Sequence, residues 1–171
     1  TAKMRLEHDN HRLALEKLAQ LTNDITPPEG ACNTWRALYA GLALIVMVEC
    51  VMAGRVVPMF TKNVTPGLVI NIPRKFELAL LAVTALALAL WVFAPPGPVT
   101  LVACAVAAVL HAVRLWMWHP WVTFKRPILW ILHAAYAWLP IGFVLLALAQ
   151  VGWVSYSLAV HAFGVGVTGG L

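Results

Sequence analysis

The sequence predicts an all-α protein: a polytopic membrane helical bundle of about five transmembrane helices, preceded by an amphipathic N-terminal helix. Three observations lead there. Only 11% of the residues are charged and 61% are hydrophobic, whereas soluble domains carry roughly 25% charged residues. Mean hydropathy is +0.81. Apolar runs of about 20 residues, the length that crosses a bilayer, are separated by short segments rich in proline, glycine or basic residues.

Two regions follow. Residues 1–34 hold the amphipathic helix and a linker, and residues 35–171 hold the transmembrane bundle. In "KMRLEHDNHRLALEKLAQL" the side chains His11, Leu15 and Leu18 share a helical face, and "TPPEG" ends the helix. His8, Asp9 and His11 have a spacing that could suit a metal, but a solvated polar face is the simpler account. Cys32, Cys50 and Cys104 do not form a disulfide framework, because an odd count leaves one thiol over and two fall within spans.

The expected spans are Trp35–Val57, Phe76–Ala94, Val99–Trp118, Pro127–Ala149 and Trp153 onward. "APPGP" makes a tight turn between the second and third, since proline cannot continue a helix. "QVGW" turns the fourth into the fifth. Lys62, Arg74 and Lys75 follow the first span and Lys125 and Arg126 follow the third, whereas the other two turns carry no charge. The positive-inside rule then puts the basic loops in the cytoplasm and residues 1–34 outside. The formal charge of +5 therefore reports topology. Basic residues at span ends give no support to nucleic-acid binding, and no nucleophile motif supports hydrolysis. The tryptophans near span ends form an ordinary aromatic belt.

Ionisable groups inside spans are costly and commonly functional. Here they are Glu49, Arg55, His111, Arg114, His133 and His161. Cys104, His111, Arg114 and Trp118 form one stripe; Trp130, His133, Tyr136 and Pro140 form a second; Ser157, His161, Gly164 and Thr168 form a third. Counting from the connection near Val122 puts His111 and His133 at one depth, with Glu49 level with them. Any one membrane histidine is explained by an interhelical hydrogen bond. Taken as a set, His111, His133 and His161 suit metal ligation, and two level imidazoles suit a haem held between spans with Arg55 and Arg114 facing its propionates. Met47, Cys50 and Met52 offer soft ligands for copper, a weaker signal at this spacing. In "GRVVPMFTKN", Gly54 permits close approach, and Pro58 bends or stops the first span. A transporter or channel module with a polar path lined by Glu49 and Arg55 is the alternative reading, and a structural membrane subunit without chemistry is a third.

Four stretches occur in order: "AGRVVPMFTKN", "LHAVRLWMW", "RPILWILHAAYAWLPIGFVLLALA" and "HAFGVGVTGGL". In these the chain resembles the NnrS family of bacterial membrane proteins over most of residues 35–171. The matching residues are Gly54, Arg55, Pro58, Phe60 and Thr61, then His111 and Arg114, then His133, Tyr136, Trp138 and Pro140, then His161, Gly164 and Gly166. The resemblance implies a multi-pass protein of the bacterial cytoplasmic (inner) membrane that contains haem and copper. It also implies a role in nitric oxide metabolism or protection against nitrosative stress. The family's first half and its downstream Gly-His-Thr-Gly-Arg segment do not occur here, so we expect this chain to be part of a longer protein. Its expected partners are the lipid bilayer, the remainder of that protein and a small molecule such as nitric oxide.

Overall fold

A computed structural model describes residues 13, 16 and 17 and the stretch 29–171. The expected N-terminal amphipathic helix, with His8, Asp9 and His11, lies outside the described residues. The chain divides into two compact units, Thr1–Ala37 and Leu38–Leu171. In the first, the described stretch is the start of a long helix. The second holds everything that follows.

The described residues are all-helical. Helix α1 is Glu29–Val64, α2 is Arg74–Phe93, α3 is Pro98–Met117 and α4 is Pro127–Gln150; α5, Tyr156–His161, runs on into a π-helical turn, Ala162–Val167. The bounds of α2, α3 and α4 fall within two residues of the expected spans. Proline at the first turn of α3 and of α4 explains those sharp starts, because the missing N–H is one a helix start leaves free. Gly97 precedes α3, and a short 3-10 turn, Pro120–Thr123, joins α3 to α4 after His119 adopts a left-handed conformation.

Among the described residues, four helices are long and apolar enough to cross a membrane. A 20-residue helix is about 30 Å long, the thickness of the hydrocarbon core. The last apolar segment, Tyr156–Val167, is a shorter apolar helix. One sequence expectation changes: the first span does not end at Pro58, for α1 continues through that proline to Val64. Beyond it, Thr61 Oγ1 donates to the Val57 carbonyl at 2.8 Å.

Helices α3 and α4 pack along each other at the centre, with α2 against α3 and the C-terminal helix against α4. Helix α1 buries a single stripe, Ala43, Val46, Cys50, Ala53, Val57 and Thr61, at steps of three or four residues. Leu44, Ile45, Val48 and Met52 stay exposed on the same helix. Such apolar surface is intolerable in water and natural against lipid tails. The core is aromatic at the level of α4: His111 stacks on Phe143 at 5.5 Å, and Phe143 meets Phe163 edge-on at 5.2 Å.

That aromatic column relies on Gly142, where a Cβ would press into the Phe163 ring, whose exposure is 0%. Gly142→Ala must therefore displace a packed ring, at about 1–3 kcal/mol. In detergent its thermal midpoint is expected to fall by roughly 2–12 °C. Gly41→Ala meets nothing within 4 Å and should leave the midpoint unchanged or raise it. Equal midpoints for the two variants would contradict this packing.

Candidate functional site

Four helices converge on Arg114, whose side chain is 1% exposed. Its Nε donates to Glu77 Oε1 at 3.0 Å, and its Nη2 pairs with Glu77 Oε2, giving a two-pronged ion pair. Nη1 donates to the Cys50 carbonyl at 3.1 Å and to the Tyr136 hydroxyl at 3.3 Å, with Cys50 Sγ 3.5 Å away. The guanidinium carbon lies 5.1 Å from the Trp118 ring centre and 5.8 Å from that of Tyr136. Gly54 has a structural reason here: a Cβ at that position would collide with Arg114 Nη2.

Hydrogen counting extends this network in one direction. Thr84 has one hydroxyl hydrogen and donates it to the Leu80 carbonyl at 2.7 Å. At 2.9 Å from His111 Nε2 it can therefore only accept, so Nε2 carries the ring hydrogen. Nδ1 of the neutral ring is then bare and accepts from the Tyr136 hydroxyl at 2.6 Å. The tyrosine oxygen in turn accepts from Arg114. One chain of donors thus runs from Arg114 through Tyr136, His111 and Thr84 to a backbone carbonyl.

The other two histidines lie elsewhere. His133 Nδ1 is 2.9 Å from the Leu129 carbonyl, which only accepts, so Nδ1 is the protonated nitrogen. Its Nε2 lies 3.5 Å from Thr61 Oγ1, a hydroxyl already committed to Val57. The His133 ring sits edge-on to Trp118 at 6.3 Å. His111, by contrast, meets Tyr136, which is one turn past His133 on α4. The two imidazoles are thus offset along the bundle rather than level. His161 is exposed; its Nδ1 donates to the Ser157 carbonyl at 2.7 Å, leaving Nε2 bare. It lines an apolar cavity of about 590 Å³ together with Ile131, Ala135, Trp138 and Gly166. A Cβ on Gly166 would press into Trp138, so that glycine gives the cavity wall its close packing.

The sequence expected one constellation, and the structure divides it. His111, Arg114 and Tyr136 meet. His133 faces Thr61 and Trp118. Arg55 lines a different cavity, about 380 Å³, with Glu77 and Arg114. Glu49 accepts from Thr168 Oγ1 at 3.3 Å and lines a third cavity with Leu132 and Leu171. Glu49 and Arg55 thus line separate cavities rather than one path.

A haem or metal fits these residues unevenly. Both His111 nitrogens are engaged, and every arm of Arg114 has a partner. No group of three His, Cys, Asp or Glu side chains converges among the described residues. The copper candidates diverge: Cys50 is 0% exposed and Met52 54%. The Trp118 indole N–H is buried without a partner among the described residues, but it is a donor, which a cation does not satisfy. Among the described histidines, His161 alone combines a bare Nε2, a cavity and an Nδ1–H held by a carbonyl, the arrangement that orients a ligating imidazole.

Reasoning from the sequence passed over Glu77 and Thr84. Glu77 looks like a first-turn carboxylate suited to the helix dipole. A depth count on the α2–α3 hairpin finds it: Glu77 lies sixteen residues before the end of α2, and Arg114 sixteen after the start of α3.

Removing one partner should be costly. Glu77→Gln leaves the Arg114 charge buried and half-paired, an expected loss of about 3 kcal/mol, the low end for a broken pair because Glu77 keeps 25% exposure. The double variant Glu77→Gln with Arg114→Met should lose less than the sum of the single changes in denaturant unfolding. Tyr136→Phe strands His111 Nδ1 and removes an acceptor from Arg114, costing about 1–3 kcal/mol. Wild-type stability in Tyr136→Phe would refute the hydrogen assignment above.

The family model described as NnrS protein matches residues 13–171. Among curated relatives, the iron-sulfur cluster repair protein YtfE of Yersinia pseudotuberculosis is 62% identical over 39 residues, covering 23% of this chain and 18% of the relative. The Yersinia pestis protein of the same name is 59% identical over 39 residues, with the same coverage. The chain therefore spans about 18% of the length of these relatives. No solved structure matches significantly. With the model matching nearly its whole length, the chain belongs to the NnrS family.

Proposed function

We propose that this chain is the membrane part of an NnrS-type protein that binds a haem or related metal group in the bundle and acts in nitric oxide metabolism or protection against nitrosative stress. Family membership links it to the nitric oxide response. The relatives matched over 39 residues, named as iron-sulfur cluster repair proteins, agree with a role in stress protection. The observation that carries the metal reading is His161: a bare Nε2 beside a cavity of about 590 Å³, with Nδ1 held by Ser157. That volume lies within the range of small-molecule and cofactor sites.

In this reading His161 holds the metal group, while Trp138 and the flanking apolar side chains form an open apolar wall against it. Haem iron would supply a redox-active centre able to bind nitric oxide. The Arg114–Tyr136–His111 chain holds α1, α2, α3 and α4 together. A second ligand would come from the remainder of the longer protein. The protein lies in the bacterial inner membrane, with the loops 65–73 and 118–126 cytoplasmic and residues 1–34 outside.

Reduced-minus-oxidised spectra of the protein in membranes test this. The wild type is expected to show a Soret and an α band. His161→Ala should remove them, whereas His111→Ala should lower stability and retain the bands. Bands that survive His161→Ala but vanish in folded His133→Ala would move the ligand to His133. Absence of any band and of any metal by elemental analysis would end the proposal.

A further inference from the structure

The cavity beside Glu77 has a chemistry of its own. It holds about 380 Å³ between α1, α2 and the loop joining them. Arg55 and Lys62 line it from α1. Seven residues apart, they share a helical face about two turns long. Arg114 lines it as well, already paired with Glu77. That pair is electrically balanced. Arg55 and Lys62 make no ion pair among the described residues and remain exposed. Two positive charges are therefore uncompensated in one hollow. Ile70 and Leu81 contribute apolar wall beside them. The hollow lies near the end of α1, where Lys62 occupies the last turn; lysine and arginine near the ends of spanning helices reach towards the membrane–water interface.

We infer that this cavity is a binding site for the phosphate group of an anionic phospholipid, with Arg55 and Lys62 as its recognition groups. Arginine and lysine are the side chains that recognise phosphate oxygens. Basic hollows between membrane helices on the cytoplasmic side take up lipid head groups. The apolar wall next to the two cations favours an amphiphile over a wholly polar anion. A bound head group would bridge α1 to the start of α2, next to the Arg114–Glu77 pair. The site is separate from the His161 cavity and stands whether or not a metal group binds there.

The test uses the full chain, purified and delipidated in detergent, then titrated with phosphatidylglycerol or phosphatidylcholine and read by native mass spectrometry. The wild type is expected to retain phosphatidylglycerol in preference to phosphatidylcholine. Arg55→Gln with Lys62→Gln should weaken phosphatidylglycerol about 10- to 30-fold, given about one factor of five per lost cation, and weaken phosphatidylcholine, whose choline already offsets its phosphate, much less. The charge-preserving pair Arg55→Lys with Lys62→Arg should keep the preference, and it decides the matter if the neutral variant does not fold. Inorganic phosphate gives the second arm. Displacement of the lipid at millimolar phosphate supports phosphate recognition and points to a soluble source. Equal retention of both lipids by the wild type, or wild-type phosphatidylglycerol affinity in a folded neutral variant, overturns the site.

Discussion

A guanidinium buried at 1% exposure inside an apolar bundle is the constraint around which the rest is arranged. An unpaired charge at that depth costs several kcal/mol. Arg114 meets the cost with a carboxylate from α2, a backbone carbonyl from α1 and a hydroxyl from α4. The helix that carries it thereby binds three neighbours by directional contacts. Apolar packing alone is weak glue between helices in lipid, because tails are as apolar as leucine.

Several local features follow from that charge. Gly54 is a glycine because the guanidinium occupies the space of its side chain. Tyr136 points one way because its oxygen must accept from Arg114 and its hydrogen must go to His111. His111 then has a single tautomer, completed by Thr84. From His111 the order passes into the aromatic column of Phe143 and Phe163, which presses against Gly142. The histidine thus serves as a structural joint, and His161, outside this network, has a free lone pair beside a cavity.

The fold was largely legible. Long apolar runs, proline at helix starts and basic loops follow simple rules of length and solvation, and α2, α3 and α4 begin and end where those rules place them. The site was half legible. His111, Arg114 and Tyr136 were named from their inward stripes, and they do meet. Glu77 escaped because a carboxylate near a helix start has an ordinary explanation, and its partner lies 37 positions away on another helix. The expected grouping of all the histidines does not occur, because equal counts along the chain fix neither the axial offset nor the rotation of packed helices: His111 meets Tyr136, while His133 faces Thr61 and Trp118. Side-chain direction and helix rotation separate His133 from His111, and Glu49 from Arg55.

By itself the sequence determined that the chain is an all-helical membrane protein and which residues are too polar to face lipid, because transfer from water to hydrocarbon is a property of each side chain. Its four ordered motifs also placed it in its family. Tertiary structure alone decided which polar groups satisfy one another, and which are left free. A hydrogen bond needs two groups within about 3 Å in a defined direction, and that depends on the rotation and offset of whole helices. Hence Arg114 and His111 are consumed in holding the bundle together, while His161 on one side and Arg55 with Lys62 on the other remain available to ligands.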